Sequence, residues 1–125
     1  MEIFQITFQE YCAIMARVKN EIDMIINITP DHTRKMMSIK ISAEIERTIA
    51  TAQAGINLPS AELHTIAEET IGLETCGATP IPEVEEALTR CYTMLLQATE
   101  VLHRITDDSY VSETKVALES ELANR

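Results

Sequence analysis

Apolar residues near the start of the chain recur at alternating steps of four and three. The positions are Phe4, Phe8, Tyr11, Met15, Val18, Ile22 and Ile25. This heptad spacing is typical of a helix that lies along another helix. Thr7-Phe8-Gln9-Glu10 fits the S/T-x-x-E capping box, in which a hydroxyl and a carboxylate satisfy the first free backbone N–H groups. The pattern predicts a first helix over about 7–28.

A second heptad series runs through the later part of the chain. Its members are Ile81, Val84, Leu88, Cys91, Leu95, Ala98, Leu102 and Ile105. Thr79 is a suitable cap, and prolines in a first turn remove only N–H groups that have no partner. We therefore predict a helix over about 80–106 and expect it to be the central helix of the fold.

Three further helices are predicted from start and stop signals. Thr29-Pro30-Asp31 and Gly55 bound a helix over about 30–54, because proline suits a first turn and glycine a left-handed C-terminal residue. Ser60 and Gly77 bound a shorter one over about 61–76. A polar helix over about 110–123 has few apolar residues, so we expect it to dock loosely.

These elements predict a single all-α domain spanning residues 1–125. Short connectors make consecutive helices pack antiparallel. The simplest arrangement is an antiparallel four-helix-type bundle with two long heptad-patterned helices and an extra C-terminal helix. An open helical hairpin assembly, completed by a second copy, also fits the wide apolar faces.

Composition agrees with this reading and indicates a cellular setting. Hydrophobic residues make up 46% of the chain and aromatic residues only 4%, so aliphatic side chains have to build the core. Three cysteines without a CxxC pair argue against a disulfide framework and favour a reducing compartment. The N-terminus does not read as a signal peptide, and no apolar run approaches the roughly 20 residues needed to span a membrane. We expect a cytoplasmic protein without a membrane partner.

The net charge of −10 is unevenly distributed. Residues 1–55 carry six basic and seven acidic side chains, whereas residues 56–125 carry four and thirteen. An acidic field repels phosphate backbones and attracts basic partners. We therefore expect no nucleic-acid partner, although the basic set Arg34, Lys35, Lys40 and Arg47 is the one candidate surface for DNA.

Candidate chemistry is sparse. Glu100-x-x-His103 has the spacing used in di-iron bundles, but the chain holds no second copy. Glu83-x-x-Glu86 resembles one half of the magnesium site of MazG-type all-α nucleotide pyrophosphatases. The second half, an ExxD pair one helix later, is missing, and no basic residue lies nearby to meet phosphates. We predict no catalytic, cofactor or metal residues and keep the pyrophosphatase as the alternative.

The resulting functional hypothesis is a non-enzymatic, protein-binding helical module: an adaptor, a secretion-type chaperone or a small inhibitor. Flagellar and type III secretion chaperones are similar in size and helical class only. The expected partner is a protein with a basic or amphipathic helical surface, and the expected oligomer is a homodimer through spare faces of the first or fourth helix. The candidate protein-binding residues are Met36, Met37, Tyr92, Leu96, Glu68 and Glu69.

Overall fold

The computed structural model describes residues 2–55, 57–76 and 80–125, and it confirms the all-α class. Five helices pack as a bundle, and none of the described residues lies in a strand. None of these helices is both long and apolar enough to cross a membrane. The helices are α1 Glu2–Ile28, α2 His32–Ala54, α3 Ser60–Gly72, α4 Pro82–His103 and α5 Ser109–Ala123.

Side-chain pairs between α1 and α2 give their relative direction. The Tyr11 hydroxyl lies 2.8 Å from the Thr48 hydroxyl, and Ser42 donates to the Asp23 carboxylate at 2.7 Å. Because a later residue of α1 meets an earlier residue of α2, the two helices are antiparallel.

The same reasoning gives the direction of α4, and the helix contacts give the place of α5. Arg104 binds Glu10 at 2.8 Å and Arg90 binds Glu21 at 2.6 Å, so α4 runs antiparallel to α1. Helix α5 packs on both α3 and α4, and α3 also packs on α2. Every helix therefore has at least two neighbours, and α5 closes the side of the bundle between α3 and α4.

The heptad residues form the core, as predicted. In α1, Tyr11, Met15, Val18, Ile22 and Ile25 are fully buried. In α4 the fully buried members of the series are Val84, Leu88, Cys91, Leu95, Ala98 and Leu102. Each fully buried aliphatic side chain contributes about 1.5–3 kcal/mol relative to exposure, so these two seams supply much of the hydrophobic stabilisation.

The predicted starts of the first two helices were wrong. Helix α1 begins at Glu2, and Thr7 is a buried residue within it rather than its cap. Helix α2 begins at His32, and its cap is Asp31, whose carboxylate accepts from the Arg34 N–H at 2.7 Å. An ionised acceptor at a helix N-terminus also interacts favourably with the helix dipole.

Other helix ends differ by a few residues. Gly55 ends α2 with a left-handed φ of 67°, as predicted. Helix α3 ends at Gly72 instead of residue 76. Beyond it, the N–H groups of Leu73 and Glu74 bond to carbonyls three residues back, not four as in an α-helix. Helix α4 begins at Pro82 with Ile81 as its cap. The predicted cap Thr79 and the stop at Gly77 lie outside the described residues.

Several buried hydroxyl groups bond within their own helix. Thr70 donates to the Ile66 carbonyl at 2.7 Å, and Thr99 donates to the Leu95 carbonyl at 2.8 Å. Ser38 does the same on α2. Such i−4 bonds satisfy the hydroxyl locally, so these groups need no partner on a neighbouring helix.

Candidate functional site

An uncharged groove lies at one end of the bundle, where α1 begins and α2 ends. Its volume is about 1160 Å³. The described residues that line it carry no charge: the polar ones are amides such as Gln9 and Gln53. We call this feature the end groove, and its apolar residues are Phe4, Phe8, Cys12, Ala52, Leu58 and Ile105.

The end groove exists because the α1 heptad continues beyond the packed part of the bundle. Phe4 and Phe8 occupy heptad positions but are only half-buried, whereas Tyr11 is fully buried. On the outer side of the same turns, Ile3 is 61% and Ile6 is 53% exposed. Adjacent exposed apolar side chains of this kind are typical of a surface that binds another protein.

The two candidate methionines occupy different environments. Met36 is 50% exposed, one turn before the exposed Ile39 on α2. Met37 instead packs against the core. Its terminal methyl group lies next to Gly72 of α3, 3.9 Å from where a Cβ atom would be. Of the two methionines, only Met36 has a largely exposed apolar side chain.

The two candidate residues of α4 point inward. Leu96 is partly buried and packs against the core. Tyr92 is fully buried, and its hydroxyl donates to the Glu74 carboxylate at 2.9 Å. In this fold Tyr92 contacts acidic residues of its own chain.

The two candidate glutamates on α3 take part in separate ionic contacts. Glu69 lies 3.5 Å from Lys40 of α2. Glu69 also lies beside Glu44 of α2. Burial raises the pKa of Glu44, and the neighbouring Glu69 raises it further. Glu68 is exposed and lies 3.0 Å from Nε2 of His64. The six candidates are therefore distributed over three helices, and their role in binding stays a prediction.

His64 connects α3 to α5. The Thr114 hydroxyl donates to the Tyr110 carbonyl at 2.6 Å and lies 3.0 Å from Nδ1 of His64. The Nε2 of His64 faces Glu68 and Glu113. The contact between His64 and Thr114 is a polar interaction that joins α5, the helix expected to dock loosely, to α3.

A cluster of ionisable residues joins α3, α4 and α5 at the opposite end of α5. We call it the Arg125 cluster: Glu74, Glu85, Tyr92, Glu121 and Arg125. The Arg125 guanidinium binds the Glu74 carboxylate and lies 3.1 Å from that of Glu85. It also lies 5.0 Å from the centre of the Tyr92 ring. Sequence reasoning missed this cluster, because its members are far apart along the chain.

Burial and neighbouring charges act in opposite directions in the Arg125 cluster. Burial favours the neutral form of Glu74, but hydrogen bonds from Arg125 and Tyr92 outweigh it and lower the pKa of this carboxyl. Burial and the nearby charge of Glu74 raise the pKa of Glu121. Burial and the carboxylate of Glu74 also raise the pKa of Tyr92. Glu74 is therefore held in its ionised form beside Arg125.

Little in the described residues supports catalysis. No group of three His, Cys, Asp or Glu side chains in 2–55, 57–76 and 80–125 is placed to hold a metal ion. Glu83 and Glu86 are exposed at the start of α4. Burial raises the pKa of Cys91 to about 12, so its thiol is a poor nucleophile.

The comparison with known proteins adds no family. No protein-family model, curated protein or solved structure matches the chain.

Proposed function

We propose that this chain is a non-enzymatic, protein-binding helical module that works as a homodimer and binds a basic partner. It belongs to the broad class of adaptors, secretion-type chaperones and small inhibitors. The observation that carries the proposal is the end groove, an uncharged surface with partly exposed aromatic side chains on a strongly acidic protein. Its three cysteines are unpaired, which fits action in the cytoplasm.

A second copy is the occupant that best fits the end groove. Two molecules with a net charge of −10 repel each other, and they meet at lowest cost where no charged side chain lines the contact. The exposed Ile3 and Ile6 lie on the same two turns of α1 as Phe4 and Phe8. We therefore propose an isologous two-fold contact through these turns of α1, in which each copy uses the same surface.

The basic partner is proposed from the charge of the second part of the chain. Exposed carboxylates on α3, α4 and α5 include Glu68, Glu83, Glu86 and Glu113. Opposite charge across an interface speeds association and discriminates between partners. The α3, α4 and α5 side of the bundle is thus the surface proposed for that partner.

The homodimer is tested by light scattering on wild type and two matched variants. Ile6→Glu places a charge on the two turns of α1 proposed for this contact and should give a monomer. Val116→Glu, at an equally exposed apolar position on α5, should leave the dimer intact. A monomeric wild type at high micromolar concentration contradicts the dimer.

The partner surface is tested with two helical peptides that share an apolar face and differ in charge. The basic peptide should bind, and its affinity should fall as salt is added, because screening weakens surface charge pairs. Equal binding of the acidic peptide, or binding that salt does not change, contradicts the proposed charge recognition.

A further inference from the structure

We propose that the Arg125 cluster is a binding site for an arginine side chain of the basic partner, which Arg125 fills when the partner is absent. This inference rests on the proposed function, since it supplies the residues that would recognise the partner's charge. Arg125 then acts as an internal competitor whose displacement accompanies binding.

The contacts made by Arg125 are those that a guanidinium group requires. Nη1 donates to the Glu85 carbonyl at 3.0 Å and to the Thr89 hydroxyl at 2.9 Å. Nη2 donates to the carboxylates of Glu74 and Glu85. The Tyr92 ring provides the aromatic face. A planar fork with several fixed donors matches this arrangement, whereas a lysine ammonium is a point charge. The site therefore selects arginine over lysine.

The site persists without Arg125 because other contacts hold its walls. Tyr92 is fully buried, and its hydroxyl donates to the Glu74 carboxylate at 2.9 Å. Glu85 and Thr89 stand one turn apart on α4, and Thr89 donates to the Glu85 carbonyl at 3.1 Å. Side chains locked in this way keep a binding geometry before the ligand arrives.

The charge balance of the cluster also favours a cation. Two carboxylates, those of Glu74 and Glu85, contact the single guanidinium of Arg125, and the Glu121 carboxyl group lies beside Glu74. The negative charge is therefore only partly neutralised by the chain itself. Removing Arg125 leaves the Glu74 and Glu121 carboxyl groups without the cation beside them, and an added guanidinium relieves that repulsion.

Release of Arg125 requires little rearrangement of the fold. The residue lies two positions after the end of α5, and its N–H bonds only to the Leu122 carbonyl at 3.3 Å. The buried residues that dock α5, Val111, Thr114 and Leu118, lie further back along the helix. An incoming arginine can thus replace Arg125 while α5 stays in place.

The test uses L-argininamide as the probe and the NMR shifts of Glu74, Thr89 and Tyr92 as the readout. Arg125→Ala should bind argininamide saturably. Wild type should bind it at least about tenfold more weakly, because the internal side chain occupies most of the sites. Lysinamide should give no saturable shift at these residues. Adding Glu74→Gln to Arg125→Ala should abolish argininamide binding, while adding Glu119→Gln, an exposed position on the same helix as Glu121, should not.

Several outcomes overturn the inference: no saturable binding to Arg125→Ala, equal binding of lysinamide, or equal affinity of wild type and Arg125→Ala. If Arg125→Ala is poorly folded, its melting temperature is followed instead, because a ligand that binds only the folded state raises it. Stabilisation by argininamide but not lysinamide supports the site, and equal or no stabilisation overturns it. If a variant binds the basic peptide but not argininamide, the result contradicts this site and leaves the proposed function standing. Argininamide binding without basic-peptide binding contradicts the wider function instead.

Discussion

The two sides of the bundle are held together by different kinds of contact. Where α1, α2 and α4 meet, the interior is aliphatic, and the Tyr11 hydroxyl pairs with the neutral Thr48 hydroxyl. Where α3, α4 and α5 meet, the Tyr92 hydroxyl pairs with the ionised Glu74 beside Arg125. Both tyrosines are fully buried. On the first side the ion pairs, such as Arg90 with Glu21, lie outside an aliphatic interior that salt and pH barely change. On the second side charged groups contact a buried tyrosine, so both conditions act on the interior itself.

This difference also separates the proposed roles of the two sides. The aliphatic side forms a rigid core with a groove at its end, whereas the charged side offers contacts that a partner can exchange. We call them the aliphatic side and the charged side. Four substitutions, in order of decreasing effect, test whether the two sides differ in this way.

The largest loss of stability is expected for Ile22→Ala on the aliphatic side. Ile22 is fully buried in the α1 seam, so truncation removes apolar contacts and leaves a cavity that costs about 2–5 kcal/mol. Leu122→Ala, at a half-buried position of α5, should cost about 1 kcal/mol. Urea unfolding with unchanged m-values measures both. Equal losses would contradict the difference in burial between these two positions.

Tyr92→Phe should have the next largest effect. It removes a hydrogen bond to a carboxylate, which costs about 1.5–3 kcal/mol, whereas Tyr11→Phe removes a neutral bond worth about 0.5–1.5 kcal/mol. The cost of Tyr92→Phe should also depend on salt, because the variant alters a cluster of charges. Urea midpoints at low and high salt measure this, and a salt dependence at Tyr11 but not Tyr92 contradicts the comparison.

Glu44→Gln should stabilise the protein at neutral pH. Burial and Glu69 raise the pKa of Glu44, so its ionised form is disfavoured in the fold. A raised carboxyl pKa means that this cost is present above the folded pKa and disappears as the pH falls through it. The advantage of Glu44→Gln over wild type should therefore shrink in acid.

The matched control for that substitution is Glu119→Gln, at an exposed position of α5. It removes the same charge from the same acidic protein without relieving a buried carboxylate. Stabilisation by Glu119→Gln equal to that by Glu44→Gln at neutral pH would assign the effect to net charge. Thermal unfolding at several pH values distinguishes the two.

The smallest effect is expected for Thr99→Val. Thr99 is buried, but its hydroxyl bonds to its own helix, so a methyl group of similar size should change stability by less than about 0.5 kcal/mol. Thr48→Val should cost about 1–3 kcal/mol, because it leaves the Tyr11 hydroxyl buried without its partner. Urea midpoints compare the two, and a costly Thr99→Val contradicts the local role of that hydroxyl.

The sequence predicted the aliphatic side well because its signal is periodic. Every heptad position between Tyr11 and Ile25 is fully buried, as the alternating three and four spacing indicated. Such spacing is a local property that a helix converts directly into one face. The helix ends were harder, because Thr7 and Thr29 are both buried residues as well as good cap types.

The charged side could not be read in the same way. Arg34 was grouped with exposed basic residues, yet it is 1% exposed, and its Nε donates to the Leu73 carbonyl at the end of α3. In the Arg125 cluster, Glu74 and Arg125 are in contact although α4 and α5 lie between them in the sequence. Neither arrangement has a periodic signal, since both depend on which helix ends meet in space. The end groove likewise follows from the lengths of neighbouring helices.

The buried hydroxyls described above have a consequence for protein engineering. Thr70, Thr99 and Ser38 satisfy themselves within a single helix, so each is an independent position for redesign. Replacing them with alanine or valine, alone or together, leaves no orphaned partner on another helix, and effects at such separate sites should add. These interior positions are therefore open to substitution while the end groove and the charged side stay unaltered.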